Sequence, residues 1–341
     1  MSNSITIADV AREAGVSAMT VSRVVNRKGE VSPDTIRRVQ EVIERLGYRP
    51  SGIARGLATR RTGTLGLVIP DIANPFFSGL ARGVEQAAYE AGYNVFLCNT
   101  DEDPQREVEV LQSLEEKRVD GVLLCSSRLG ESELVAALER FPAGVLVNRR
   151  LERKLFGAVV VDDELGGALA TRHLLQTGHR EIGFLAGPAV SYSGQERAKG
   201  YRAALEAAGR SYDPGLVYPC QPTLDGGKQT AARLLVDHPG VTALFCFNDL
   251  VAAGALHACI EMGRGVPADL AIVGCDDIPL ARLIVPPLTT CRVPLSEMGV
   301  QATRLLLERM RGCEDCTEVV LKPELVVRAS APAEGYVDDR R

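Results

Sequence analysis

The chain has 341 residues, of which 45% are hydrophobic and 24% charged, with a formal net charge of -5. This length predicts two or three domains, and this composition is typical of a globular protein with a buried core. The sequence shows neither a basic and apolar leader nor an apolar run of about 18 residues. We therefore expect a cytoplasmic protein with no membrane partner.

The N-terminal segment is basic although the chain as a whole is acidic. Residues 1–61 contain 11 Lys and Arg against 6 Asp and Glu, whereas the rest of the chain contains 28 against 38. A basic segment on an acidic body is typical of nucleic-acid binding. It is also the composition of an ordinary solvated surface, so charge alone does not decide between the two.

Three short helices are predicted within residues 1–50. An apolar-periodic segment follows Thr6 and stops at Gly15, a second begins after Ser17, and Pro33 starts a third that Gly47 ends. Two short helices around a glycine-containing turn make a helix-turn-helix. A plain three-helix bundle is the alternative, but it would not account for the polar outer face of the second helix or for the basic surplus.

The second helix is the candidate reader of DNA bases. Arg23 has the planar fork that pairs with guanine, whereas Ala18 and Met19 offer only apolar contact with thymine methyl groups. Ser22 completes the set that faces base edges, and hydroxyl or amide groups elsewhere are candidate phosphate contacts. The predicted DNA-binding residues of this domain are Thr6, Ser17, Ala18, Met19, Thr20, Ser22, Arg23, Asn26 and Tyr48.

A basic linker follows, over residues 51–62. Ile53, Ala54, Leu57 and Ala58 fall on one helical stripe, which predicts a short hinge helix. This helix would be marginal, because it is short and its two glycines each cost up to about 1 kcal/mol relative to alanine. A flexible basic tether is the alternative. Ala54, Arg55 and Leu57 are the candidate DNA contacts of this segment.

The remainder of the chain alternates strands with helical stretches. This alternation predicts an α/β fold with parallel sheets covered by helices on both faces, and two such series predict two doubly wound lobes. The predicted strands are TLGLVI, NVFLCN, GVLLCS, GVLVN, AVVVD, IGFLAG, ALFCFN and AIVGCD.

Polar residues follow the carboxyl ends of these strands, where a ligand of a doubly wound sheet binds. Arg197 and Asp276 are the strongest candidates, since a charge buried at a cleft is costly without a partner. Asp71 has an alternative role as a helix cap, and Phe76 and Phe77 have one as core residues. Ser191 and Ser193 could instead belong to a plain loop. The candidate effector-binding residues are Asp71, Phe76, Phe77, Asn148, Ser191, Ser193, Arg197, Asn248 and Asp276.

Enzyme motifs are absent from the sequence. It contains no G-x-G-x-x-G between a strand and a helix, no phosphate-binding loop and no G-x-S-x-G elbow. The four histidines lack metal-ligand spacing, and the nine cysteines include only one C-x-x-C pair, Cys313 and Cys316. We therefore expect no catalytic residue, no metal and no cofactor.

Six segments of this chain are informative together: TIADVAREAGVSAMTVSRVVN, VSPDTIRRVQEVIERLGYRPSGIARGLATRRTGTLGLVIPDIANPFF, GHREIGFLAGP, FNDLVAAGAL, VPADLAIVGCDDIPLA and PPLTT. They resemble the LacI/GalR family of bacterial transcription regulators. The resemblance implies a nucleoid-associated homodimer, most simply a repressor, that binds a palindromic DNA operator and responds to a small-molecule effector. It implies that Leu57 wedges a base step apart in the minor groove.

The resemblance also implies a helix-turn-helix domain, a hinge and a two-lobed periplasmic-binding-protein-like (type I) core. It supports Arg197, Asn248 and Asp276 as effector contacts. Purine-binding relatives tend to have arginine at the position of Ser191, so the resemblance favours a sugar or sugar derivative. A nucleobase-responsive regulator and a sugar-binding protein without a regulatory role are the alternatives. The implied bounds are 1–50, 51–62 and 63–331, with an N-lobe of about 63–162 plus 294–320 and a C-lobe of about 163–293 plus 321–331.

Overall fold

The computed structural model describes residues 5–26, 29, 31–48, 61–151, 155–313 and 318–333. The chain divides after Gly63 into two compact units, a helical head and a larger core. The predicted fold class is confirmed: among the described residues, three helices form the head, and two six-stranded, mainly parallel sheets form the core. The predicted hinge helix, with Ala54, Arg55 and Leu57, lies outside the described residues.

The head is built from helices whose ends are set by local chemistry. Thr6 and Asp9 form a reciprocal capping box at the first helix, and Gly15 ends it in the left-handed conformation. Ser17 caps the second helix by accepting a hydrogen bond from the Thr20 amide at 3.1 Å. Val21 is fully buried in the small core that the three helices share. The helices are α1 (Ile7–Ala14), α2 (Ala18–Val25) and α3 (Pro33–Leu46).

The core contains twelve strands among its described residues. Six of these strands are buried along their whole length, as expected for parallel sheets covered on both faces. The strands are β1 (Thr64–Ile69), β2 (Asn94–Asn99), β3 (Gly121–Cys125), β4 (Gly144–Val147), β5 (Gly157–Val161), β6 (Ile182–Gly187), β7 (Val217–Pro219), β8 (Ala243–Cys246), β9 (Ala271–Asp276), β10 (Thr289–Arg292), β11 (Glu318–Leu321) and β12 (Glu324–Val326).

Helices cover both sheets. The helices are α4 (Pro75–Glu90), α5 (Pro104–Glu116), α6 (Glu131–Leu138), α7 (Asp163–Gln176), α8 (Tyr192–Ala207), α9 (Leu224–Asp237), α10 (Asp249–Glu261), α11 (Leu280–Leu283) and α12 (Leu295–Met310). Among the described residues, none of the helices is long and apolar enough to cross a membrane.

Each sheet defines one lobe of the core. The N-lobe sheet has the order β11-β5-β4-β3-β1-β2, and the C-lobe sheet has the order β12-β10-β9-β8-β6-β7. The chain crosses between the lobes after β5, after β10 and between β11 and β12. In each sheet the strand order reverses beside the first strand, and this reversal leaves a crevice at the carboxyl ends of the strands.

Close contact between α7 and α8 positions the C-lobe side of this crevice. A Cβ atom at Gly200 would lie 1.9 Å from the Glu164 carbonyl oxygen, and one at Gly167 would lie 2.2 Å from the Arg197 carbonyl oxygen. Only glycine permits this backbone approach. The two glycines therefore hold Arg197 against the start of α7.

Gly200→Ala should lower the free energy of unfolding of the core by about 1–3 kcal/mol, because the added methyl group would push α8 away from α7. Helix propensity alone would favour alanine by up to about 1 kcal/mol, so the steric clash decides the sign. Urea unfolding measures the change. Gly166→Ala is the matched control, since its Cβ would meet only a Pro323 side chain at 3.5 Å. Equal effects of the two substitutions would contradict this account of the packing.

Candidate functional site

A small cavity lies between the two lobes of the core, with about 30 Å³ of space for water-sized molecules. Both lobes contribute to its wall, so a molecule bound there would touch both. Seven of the nine candidate effector-binding residues line it: Phe76, Phe77, Asn148, Ser193, Arg197, Asn248 and Asp276. The remaining lining residues are Asn74, Glu102, Ser126, Arg128, Pro222 and Phe247.

Arg197 is the centre of the C-lobe wall. Its Nε donates to Asp163 Oδ1 at 2.8 Å, one of its terminal nitrogens donates to the Phe247 carbonyl, and its guanidinium lies 5.1 Å from the centre of the Phe247 ring. The Arg197 side chain is only 3% exposed. The cost of burying this cation is therefore offset by a fixed carboxylate, a carbonyl and an aromatic face.

Asp276 is the less completely paired carboxylate of this wall. Its Oδ1 lies 3.7 Å from Arg197 Nη2, a longer separation than the 2.8 Å between Arg197 and Asp163. Burial raises the pKa of Asp276 well above its ordinary value, and Arg197 opposes that rise. Because Asp163 is the closer partner of Arg197, Asp276 keeps capacity to hydrogen-bond a ligand.

Asn148 supplies an acceptor from the N-lobe. Its Nδ2 donates to Ser126 Oγ at 3.1 Å, while its buried Oδ1 has no hydrogen-bond partner. Both residues have positive φ angles, 53° at Asn148 and 47° at Ser126. Strained backbone and an unsatisfied buried acceptor on one cavity wall are features that functional sites share.

Two aromatic rings form the apolar part of the N-lobe wall. Phe76 and Phe77 begin α4 and pack edge to face with their centres 5.0 Å apart. Asn74 caps this helix by accepting from the Phe76 amide at 3.0 Å, which fixes where the rings emerge. An aromatic wall facing polar groups suits a ligand with one apolar face and several hydroxyl groups.

The head presents a separate candidate surface on α2. Ala18, Met19 and Arg23 are exposed there, and Met19 is 65% exposed although it is apolar. Ser22 is half-buried, and its carbonyl and hydroxyl both accept from the Asn26 amide. An exposed arginine beside an exposed apolar pair fits base readout by a recognition helix.

Comparisons with known proteins match both units. The family model described as bacterial regulatory proteins, lacI family, matches residues 6–51, and the model described as periplasmic binding proteins and sugar binding domain of LacI family matches residues 62–329. The chain belongs to the LacI family of bacterial regulatory proteins. It is a DNA-binding transcriptional regulator.

Individual members of the LacI family resemble this chain over almost its whole length. The transcriptional regulator DegA of Bacillus subtilis is 38% identical, over 95% of this chain and 97% of the relative. The ribose operon repressor of Halalkalibacterium halodurans is 40% identical, over 95% and 96%. The structure of the lac repressor dimer bound to operator and the anti-inducer ONPF aligns with a TM-score of 0.87 at 26% identity, over 96% and 99%.

Two candidate effector-binding residues lie outside the lining of the cavity in this LacI-family core. Asp71 accepts from the Ala73 amide at 2.9 Å within its own loop. Ser191 caps α8 by accepting from the Gly194 amide at 3.3 Å, and its Oγ lies 3.1 Å from Ser193 Oγ. Both side chains are therefore engaged in local structure.

The cavity also holds an ion pair that sequence reasoning missed. Arg128 Nε lies 2.5 Å from Glu102 Oε2, and the Arg128 side chain is buried. Ser126 and Arg128 follow β3, so the strand-end rule that selected Asn148 could have found them. Among the described residues, none of the groups of His, Cys, Asp and Glu is placed to hold a metal ion.

Proposed function

We propose that this regulator binds a palindromic operator as a homodimer and that a small molecule in the cavity between the lobes controls the binding. The observation that carries the proposal is the convergence of Asn148, Arg197 and Asp276 from two lobes on one cavity, in a chain that also carries a recognition helix. A transcription regulator acts on chromosomal DNA, so the proposal includes a cytoplasmic location. The proposal also includes no catalytic activity.

The effector proposed is a neutral sugar. The two arginines of the cavity are already paired, Arg197 with Asp163 at 2.8 Å and Arg128 with Glu102 at 2.5 Å. Asp276 would repel a second carboxylate or a phosphate. Neutral hydroxyl groups can instead donate to Asp276 and to the unpartnered Asn148 Oδ1. The family description of a sugar binding domain supports the same class.

The proposed homodimer is supported by an exposed apolar edge of the N-lobe. β2 is the last strand of its sheet, and Phe96 and Leu97 on it are 44% and 38% exposed. Tyr89, near the end of α4, is 77% exposed. An exposed apolar sheet edge of this kind promotes aggregation unless another chain covers it. Sedimentation equilibrium tests the proposal, and a strictly monomeric chain would contradict it.

The operator is best found by selecting duplexes from a random library with the purified full chain. Selection of one symmetric sequence, bound with salt-dependent but sequence-specific affinity, is the expected result. Equal retention of all sequences would contradict the proposal. A thermal-shift panel of neutral pentoses and hexoses, with the matching sugar acids and sugar phosphates, then tests the effector class. A ligand at 100 times its Kd should stabilise the chain by about 2.7 kcal/mol.

Arg23→Ala should weaken binding to the selected operator by about 1–3 kcal/mol and relax the preference at one base pair. The physical reason is the loss of a bidentate contact with guanine. Competition of operator against random duplex in a mobility-shift assay measures both effects. Arg37→Ala is the control, because it removes another exposed positive charge, paired with Asp34, from α3. Equal losses on operator and random DNA would show that Arg23 contacts phosphate only.

A further inference from the structure

A second junction between the lobes lies beside the effector cavity. It is a groove with about 530 Å³ of space for water-sized molecules, and its wall combines N-lobe residues that include Arg150 and Leu151 with C-lobe residues that include Tyr192 and Glu196. Arg150 and Tyr192 are absent from the lining of the smaller cavity. Arg150 and Tyr192 are therefore placed to affect how the two lobes contact each other without touching a bound effector.

Tyr192 carries the apolar part of this junction. It begins α8 in the C-lobe, yet its ring packs against a hydrophobic cluster whose buried members, such as Leu129 and Leu151, all belong to the N-lobe. Its neighbours Ser191 and Ser193 share a hydrogen bond, and Ser193 lines the effector cavity. Tyr192, which contacts the other lobe, and Ser193, which lines the cavity, are thus adjacent on one helical turn.

Arg150 covers the tyrosine from the N-lobe side. Its guanidinium lies 5.6 Å from the centre of the Tyr192 ring, and it donates to Glu318 at 2.9 Å within its own lobe. Glu196 of the C-lobe is 3.8 Å away but is held more closely by Lys199, at 2.5 Å. The ionic contact across the lobes is therefore the weaker component, and the ring contact is the stronger.

We propose that Tyr192 is a positioning residue that latches the C-lobe to the N-lobe, with Arg150 as its cover. The latch favours the lobe arrangement in which residues of both lobes reach the effector cavity. Its strength sets the fraction of chains that are competent to bind before an effector arrives, and the apparent Kd rises as that fraction falls. The part of the proposal that concerns effector affinity rests on the proposed function.

The first test needs no ligand. Hydrogen–deuterium exchange of the full chain should be faster over residues 124–130 and 191–197 in Tyr192→Ala than in the wild type, and unchanged in Tyr192→Phe, which keeps the ring. Tyr212→Ala is the matched control, because Tyr212 also lies under an arginine of α8, Arg202, at 5.3 Å, but within one lobe. Unchanged exchange in Tyr192→Ala overturns the latch.

The second test uses the neutral monosaccharide that stabilises the wild type most in the thermal-shift panel. Its Kd should rise about three- to tenfold in Tyr192→Ala and by a similar or smaller factor in Arg150→Gln, as expected for lost aromatic and cation–π contacts. The double variant should lose less than the product of the single effects, because both residues act on one contact. An unchanged Kd in Tyr192→Ala overturns the coupling to the cavity. If no sugar binds the wild type, the proposed effector class fails and the exchange test alone decides the latch.

Discussion

Arg197→Ala should lower the free energy of unfolding of the core by about 3–5 kcal/mol, the cost of removing one member of a buried ion pair. The substitution leaves the Asp163 carboxylate, 1% exposed, and the Asp276 carboxylate, 5% exposed, without their shared cation. Urea unfolding at pH 8 measures the loss. Arg202→Ala is the matched control, since Arg202 lies on the same helix but is 60% exposed and forms a surface ion pair with Glu206.

The loss in Arg197→Ala should also depend on pH. Burial already raises the pKa of Asp163 and of Asp276 above the ordinary value of 3.8, and removing the cation raises both further. A carboxyl group whose pKa is higher in the folded than in the unfolded state costs stability as the pH rises from about 4 through the folded-state pKa. The loss of unfolding free energy caused by Arg197→Ala should therefore be smaller at pH 5 than at pH 8. A deficit that is equal at both pH values, or absent, would show that these carboxylates do not depend on Arg197.

Asp276→Asn should weaken binding of the stabilising sugar about 10- to 150-fold, because a charge-assisted hydrogen bond is worth about 1.5–3 kcal/mol. The folded state should be kept, since the amide has nearly the same shape and removes a buried ionisable group. Titration calorimetry measures the affinity, and thermal unfolding without ligand checks the fold. Asp225→Asn, at an exposed position on α9, is the control. Normal sugar affinity in Asp276→Asn would move the effector site away from this cavity.

The local parts of the fold could be predicted from the sequence because short-range chemistry determines them. Thr6, Ser17 and Pro33 each stand at the start of a helix, and Gly15 and Gly47 end two of them in the left-handed conformation. The same reasoning found eight of the strands, since uninterrupted apolar runs are typical of parallel sheets with two covered faces. It missed the short strands β7, β10, β11 and β12. The fold class followed from the alternation of these elements.

The candidate cavity could be predicted only in part. The rule that ligands bind at the carboxyl ends of strands selected Asn148 and Asp276, and both line the cavity. The same rule selected Asp71, whose side chain instead bonds its own loop. Position along a strand therefore locates the edge of the sheet, whereas local hydrogen bonds decide where each side chain points.

Pairings between distant residues could not be predicted from one sequence. Asp163 lies 34 positions before Arg197, and Glu102 lies 26 positions before Arg128. No local pattern specifies such partners, because they meet only after the helices have packed. The same holds for the latch, in which Tyr192 of one lobe reaches a cluster of the other. These contacts decide which charges in the cavity remain available to a ligand.

The central claim is that occupancy of the cavity between the lobes changes affinity for the operator. The most direct test measures the Kd of the full chain for the selected palindromic duplex, with and without a saturating concentration of the stabilising sugar. We predict a change of about 5- to 150-fold, and by reciprocity the duplex should change the affinity for the sugar by the same factor. The change should be smaller in Asp276→Asn at the same sugar concentration, because the cavity of the variant is less fully occupied. An operator Kd that stays constant for the wild type, with the cavity shown to be occupied, would contradict the account.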